Sequence, residues 1–291
     1  MTRHLLTGEE LTPDEVVRIV ARAQELKADP GASQVLAGRS VALIFEKPST
    51  RTRVSFEAGV AELGGHPLVL RSGELQLSRG ESIRDTALVL SRHVAAIGIR
   101  TGPDSDVAEL AEHSAIPVIN MLTYEHHPCQ ALADLTTLRE RFGQLAGLKL
   151  AYVGDGNNVA RSLLIASRIA DIEFAIATPA ELALPELESQ PLDEAVAGAH
   201  AIYTDVWVSM GDEDDADRRR ELLAPYKVDQ ALLAKARDDA IALHCLPAHP
   251  GEEISEEVLY GEGSAIWDQA ENRLHAQKAL LELLFSTVPS P

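Results

Sequence analysis

Short continuous apolar runs alternate along the chain with longer stretches in which apolar residues recur every three or four positions. The short runs have strand length and are rich in β-branched residues: 41–45, 67–70, 95–99, 117–119, 149–153, 173–177, 201–204, 240–243 and 265–267. The longer stretches, at 82–92, 128–142, 159–170, 228–236 and 268–285, have helical periodicity. Strands that alternate with helices in this way predict an α/β fold in which parallel sheets are flanked by helices. Four strands precede the helix at 128–142 and the second series begins only after it, so two domains are expected, 1–133 and 134–271, joined by interdomain helices. The last helix, 272–291, is expected to pack back on the first domain. Ligands in open α/β sheets bind beyond the carboxyl ends of the strands, so the polar segments that follow strands are where a site belongs.

The chain has 291 residues, 45% of them hydrophobic, enough to bury the cores of two medium domains. Its formal charge of −19 argues against a nucleic-acid partner, which needs basic stripes to neutralise phosphates. No apolar run reaches membrane-spanning length, and the N-terminus lacks the apolar core of a secretory signal. Two cysteines, Cys129 and Cys245, are too few and too distant in sequence for a disulfide scaffold, and a reducing cytoplasm is expected. The acidic tract at 211–215 reads as a solvated loop.

Against this acidic background the residues at 49–53, Ser-Thr-Arg-Thr-Arg, stand out. They follow a strand and open a helix, where unpaired backbone N–H groups and the positive end of the helix dipole favour an anion. Arg51 and Arg53 add guanidinium forks suited to phosphate. His127-Pro128-Cys129-Gln130 opens the next long helix, with Pro at a position that favours initiation. His127 and Gln130 are three apart and can face one way, so an imidazolium could donate to a carbonyl oxygen while the Gln carbonyl accepts from its NH2.

In the second half, Gly154-Asp155-Gly156-Asn157-Asn158 resembles the start of a dinucleotide fingerprint but lacks the third Gly, so a nicotinamide cofactor is a weak reading. The two Asn residues read better as amides that reach a polar substrate from a tight turn. Asp205 follows a strand, where its carboxylate could meet an ammonium group or simply cap a helix. Cys245, in His244-Cys245-Leu246-Pro247-Ala248, lacks the fixed-spacing partners of a thiol protease. Zinc held by His126, His127, His244, His249 and the two cysteines is also disfavoured, because no metal-ligand spacing is present.

Taken together, Ser49–Arg53, His127–Gln130, the segment at 205–211 and the segment at 244–248 resemble the carbamoyltransferases, and the last two resemble the ornithine-specific branch. The resemblance runs on to residues 271–278 and so covers nearly the whole chain. It implies transfer of the carbamoyl group of carbamoyl phosphate to the δ-amine of L-ornithine, giving L-citrulline and phosphate, in arginine biosynthesis or catabolism. By the same resemblance Ser49, Thr50, Arg51 and Thr52 hold the phosphate, and Arg100 and His127 contact the carbonyl oxygen. Gln130, with the main chain at Cys245 and Leu246, receives the NH2, and Arg273 helps close the site. Asn158, Asp205, Ser209 and Met210 match the amino-acid contacts. Gln76 matches a loop that reaches a neighbouring subunit's site, which implies a homotrimer or a multiple of trimers. The resemblance makes Arg51, Arg100, His127, Asp205 and Cys245 the expected catalytic set.

No metal or organic cofactor is implied, since carbamoyl phosphate brings its own leaving group and a possible base. Residues 178–200 are shorter than the family usually has and Pro-rich with one helical turn, which predicts a trimmed element in the second domain. The rival readings are carbamoyl transfer to putrescine or an acylated ornithine, and a non-catalytic subunit that keeps the fold.

Overall fold

The computed structural model of the chain describes residues 2–208 and 213–286. Two units are present: one holds the chain up to Thr136 and again from Glu271 onward, the other runs Thr137–Ala270.

The first unit is built from α1 (Pro13–Ala28), β1 (Ser40–Phe45), α2 (Thr50–Glu62), β2 (His66–Arg71), α3 (Ile83–Leu90), β3 (Ala96–Arg100), α4 (Asp104–His113), β4 (Val118–Leu122) and the start of α5 (Pro128–Phe142). Its four strands are parallel in the order β2-β1-β3-β4. Ala42 and Ile44 of β1 pack with Ile97 and Ile99 of β3, Val118 of β4, and Val107, Leu110 and Ala111 of α4. Helices on both faces explain why the inner strands read as unbroken apolar runs, with no polar face to show alternation. Leu5 extends the β4 edge: its N–H donates to Val118 O at 2.9 Å and its carbonyl accepts from Asn120 N at 2.7 Å. The sequence reading passes over α1, although Thr12 and Glu15 form a complete capping box, a signal that was available in the sequence.

The second unit continues with β5 (Lys149–Val153), α6 (Asn158–Ile169), β6 (Glu173–Ala177), α7 (Leu192–Val196), β7 (Ala201–Thr204), α8 (Ala216–Leu223), α9 (Gln230–Leu233), β8 (Ile241–His244), α10 (Glu256–Leu259) and the start of α11 (Ile266–Ser286). Its parallel sheet has the order β6-β5-β7-β8, the same arrangement as the first. Its core joins Ala151, Val153, Ala175, Ile202 and Ala242 of the strands with Ala195 and Val196 of α7 and Val258 and Leu259 of α10. In each sheet the first strand of the unit lies beside its third, so the winding direction reverses between β1 and β3 and between β5 and β7. Crevices form at such reversals.

Three expectations need correction. Residues 265–267 form no strand: Ala242 and Ser264 make an isolated bridge, and Ala265 O then accepts Gln269 N to begin a helical ladder. A short apolar run does not distinguish a strand from a buried helix start. Residues 228–236 give only the four-residue α9, because Val228 is drawn into a bridge with Ile254 and Asp229 caps the helix after it. Residues 178–200 hold a 3-10 turn, Ala180–Leu182, as well as α7, which still covers the sheet.

The Gly-Asp-Gly segment also has a packing role. A Cβ on Gly156 would lie 2.3 Å from Leu182 O and 3.0 Å from Leu184 N, and Gly156 N donates to Leu182 O at 3.0 Å. The glycine therefore makes room for the 182–184 backbone. Gly156→Ala is expected to destabilise the protein by roughly 1–3 kcal/mol, the usual cost of overpacking. A thermal midpoint by circular dichroism that matches the unsubstituted protein would contradict this.

Candidate active site

In the first unit the polar residues gather beyond the carboxyl ends of β1, β3 and β4. β1 ends at Phe45, and after a short turn Ser49 caps α2, its Oγ accepting Thr52 N at 3.3 Å. Ser49 is half-buried, Thr50 exposed, Arg51 half-buried and Thr52 fully buried, so the first turn of α2 grades from solvent to interior. Arg273 on α11 donates from Nη2 to Thr52 Oγ1 at 2.6 Å, and both side chains are buried. Arg53 is tied along its own helix, where its Nε donates to Glu57 Oε1 at 2.5 Å, and it lines a cleft of about 650 Å³ together with Lys47, Ser49, Thr50 and Arg71.

Arg100 is the last residue of β3, next to the reversal, and is buried. Ile99 pairs with Asn120 but Arg100 pairs with Leu122, so Met121 is an extra residue on β4 and the ladder bulges where Arg100 leaves it. Bulges commonly re-aim a side chain beside a site. The turn from β4 to His127 is held by Asp104: its Oδ1 accepts from His126 Nδ1 at 2.6 Å and Thr123 Oγ1 at 2.8 Å, and its Oδ2 accepts Glu125 N at 3.1 Å. His126 thus anchors the turn that presents His127.

His127 is buried, and its pKa lies well below the ordinary histidine value, first because burial disfavours the charged form and then because Arg273 and Arg100 repel a proton. The expected imidazolium is therefore replaced by a neutral imidazole, which still offers one N–H donor. Gln130 Nε2 donates to Asp134 Oδ1 at 2.8 Å. Its Oε1 is buried and accepts no hydrogen bond among the described residues. Cys129 Sγ donates to Asn120 O at 3.3 Å, and burial pushes the thiol pKa up to about 12, which leaves it inert as a nucleophile.

In the second unit the corresponding ends are those of β5, β7 and β8. Asn157 caps α6, its Oδ1 accepting from Val159 N at 2.9 Å and Ala160 N at 3.2 Å, and also from Tyr152 Oη at 3.2 Å. Its Nδ2 donates to Asp205 Oδ2 at 2.8 Å. Asn157 is thus consumed in positioning, and of the Asn pair only Asn158, the first residue of α6, stands as a candidate contact. Burial, and then the carboxylates of Asp205 and Asp155, push the Tyr152 phenol well up, so it is a donor. Among the described residues Asp205 caps no helix; it is buried, and its Oδ1 accepts from Cys245 Sγ at 3.0 Å. Asp155 binds Arg219 of α8 at 2.8 Å, a pairing that nothing in the sequence announces.

Cys245 and Leu246 follow β8. Leu246 N donates to His244 Nδ1 at 2.8 Å, so the ring proton sits on Nε2, which donates to Glu253 Oε1 at 3.1 Å in a fully buried pair. That contact holds Leu246 at φ +61°, a left-handed conformation that a leucine seldom adopts. Among the described residues the metal-capable groupings are Asp205, His244 and Cys245, and His249, Glu252 and Glu253. Gln76 is exposed on the 3-10 turn Gln76–Arg79, and Ser209 and Met210 lie outside the described residues.

Two family profiles match the chain in tandem. Residues 3–140 match "Aspartate/ornithine carbamoyltransferase, carbamoyl-P binding domain", and residues 146–284 match "Aspartate/ornithine carbamoyltransferase, Asp/Orn binding domain". An ornithine carbamoyltransferase of Acidothermus cellulolyticus is 52% identical, with 98% of this chain and 97% of that protein covered. The chain belongs to the aspartate/ornithine carbamoyltransferase family. Carbamoyltransferases of solved structure share its fold. Ornithine carbamoyltransferase from Pyrococcus furiosus superimposes with a TM-score of 0.94 at 44% identity, over 99% of this chain and 98% of that one. The Thermus thermophilus enzyme gives 0.91 at 40% identity, over 98% and 99%. Both substrate-binding domains of the carbamoyltransferase family are therefore present, and each carries its polar cluster at a winding reversal.

Proposed function

We propose that this chain is an ornithine carbamoyltransferase: it moves the carbamoyl group of carbamoyl phosphate to the δ-amine of L-ornithine and releases L-citrulline and phosphate. The observation that carries the carbamoyl half is the pair at the start of α5, buried His127 and, three residues on, buried Gln130, whose Oε1 accepts no hydrogen bond among the described residues. A carbamoyl group needs this pairing, a donor for its C=O and an acceptor for its NH2. The first turn of α2, with Ser49, Thr50, Arg51 and Thr52, is assigned to the phosphate. Arg100, His127 and Thr52 supply fixed donors for the oxyanion that develops as the amine attacks. Arg273, bonded to Thr52, completes that cluster.

Asp205, oriented by Asn157 and Cys245, is assigned to the amino-acid half with Asn158, Ser209 and Met210, while the main chain at Cys245 and Leu246 receives the carbamoyl NH2. The amine nitrogen forms the new bond to the carbamoyl carbon. The bond from that carbon to the bridging oxygen of the mixed anhydride breaks, its electron pair leaves with the phosphate, and the phosphate takes up the proton the amine sheds. The residues act by orientation and charge, and no covalent enzyme intermediate is required.

Phosphate release measured with ornithine, putrescine, N-acetylornithine and aspartate tests the assignment. Turnover with ornithine alone is the expected result. Turnover with another amine would overturn the reading of the second unit, and none with any amine would favour a non-catalytic subunit.

Because His127 is held neutral, affinity for carbamoyl phosphate, corrected for the ligand's own ionisation, is expected to show no step at the ordinary histidine pKa. A calorimetric titration across pH 6–8 checks this, and a loss of affinity centred near the ordinary histidine value of 6.5 would contradict it. We further assign the protein to arginine metabolism in the cytoplasm and to a homotrimer, in which the exposed Gln76 turn serves a neighbouring subunit. Light scattering should return three chain masses or a multiple, and a monomer would contradict that assignment.

A further inference from the structure

Gln130 and Asp134 stand one turn apart on α5, 1% and 0% exposed, with Gln130 Nε2 donating to Asp134 Oδ1 at 2.8 Å. A carboxamide is a planar group with a donor at one end and an acceptor at the other, and it can be turned over with almost no change of shape. Shape alone therefore does not decide which end a buried glutamine presents to its surroundings. Asp134 does decide it, because a carboxylate offers acceptors only, and the reversed amide would set two oxygens against each other at 2.8 Å. The oxygen is turned away from Asp134 and stays buried, accepting no hydrogen bond among the described residues. A buried acceptor without a donor is costly, so a ligand N–H placed against it recovers that cost and a methyl group does not.

We infer that Asp134 is a positioning residue that sets the acyl-group selectivity of the first unit. By holding Gln130 with its carbonyl turned away from the carboxylate and left without a donor, it makes the site prefer an acyl phosphate that carries N–H donors over one of the same shape that carries a methyl group. The inference rests on the carbamoyl-phosphate reading of this unit and names a residue that touches no reacting atom in it.

The test is the binding of carbamoyl phosphate, acetyl phosphate and inorganic phosphate to the full chain by calorimetry. The unsubstituted protein should bind carbamoyl phosphate about tenfold or more tighter than acetyl phosphate, the scale of one buried hydrogen bond gained against one left unmade. In Asp134→Asn the side chain at 134 can donate or accept, so Gln130 is free to turn. The preference should fall to about twofold or less while affinity for inorganic phosphate is kept. Asp134→Ser, which also donates or accepts, should behave alike and serves if the Asn variant does not fold. In a Gln130→Ala background the preference is already lost, and adding Asp134→Asn should change it no further.

Two results would overturn the inference: a variant that keeps the full preference, or one that loses inorganic phosphate in step with carbamoyl phosphate, as a merely structural role requires. If the unsubstituted protein shows no preference, the carbamoyl-phosphate reading itself fails and the inference falls with it.

Discussion

Arg51→Ala is expected to remove nearly all use of carbamoyl phosphate, lowering kcat/KM for that substrate by about 10²–10⁴. The estimate takes two charge-assisted hydrogen bonds to phosphate at roughly 1.5–3 kcal/mol each. Arg51 lies in the first turn of α2, where the N–H groups have no intrahelical partner and the helix dipole adds to the guanidinium charge. Arg53, two residues on, gives an internal comparison, since it has the same side chain but its guanidinium is tied to Glu57. An exposed pair of that kind contributes roughly 0.3–0.5 kcal/mol, so Arg53→Ala should change kcat/KM by no more than about threefold. Citrulline kinetics at saturating ornithine decide both. An Arg51→Ala enzyme with intact turnover, or an Arg53→Ala enzyme as impaired as Arg51→Ala, would refute the assignment of the phosphate cradle.

Asp205→Ala is expected to damage the other half-site, lowering kcat/KM for ornithine by roughly 10²–10³, the range for removing one partner of a buried charge interaction. The carboxylate is buried and held at both oxygens, by Asn157 and by Cys245, so it is set in place before any ligand arrives. Carbamoyl phosphate binding, measured separately by calorimetry, should stay within about twofold of the unsubstituted protein, the size of a surface-level perturbation. A variant that lost both substrates equally would show that Asp205 supports the fold and not the amino-acid contact. Asp205→Asn separates charge from shape. It should keep the thermal midpoint and still lose most of the ornithine activity.

These assignments began as sequence readings, and the limits of such readings follow from what holds each residue. The inner strands were legible because helices cover both faces of each sheet, which leaves continuous apolar runs such as Val41–Phe45. The run at 265–267 misled for the same reason, since a buried helix start is equally apolar. Cys245 and Asp205 were each visible as residues after strands, yet their 3.0 Å contact joins positions 40 apart and depends on β7 lying beside β8. Arg53 looked equal to Arg51 in sequence because the rotation of 100° per residue along a helix, not the spacing, separates the faces. His127 was read as charged because the burial that chiefly lowers its pKa, and the two arginines from β3 and α11 that add to it, depend on contacts far off in sequence. Asp134 had a local signal, four residues beyond Gln130 on one helix, but that spacing acquires meaning only once both side chains are known to be buried.

The most direct measurement follows carbamoyl phosphate labelled with ¹³C at its carbonyl carbon, incubated with ornithine and the purified chain, by NMR. Appearance of the label in the ureido carbon of citrulline, with one phosphate released for each citrulline formed, is the predicted result. Phosphate release without labelled citrulline, or no enzyme-dependent reaction, would contradict the central claim that the two half-sites carry out carbamoyl transfer to ornithine.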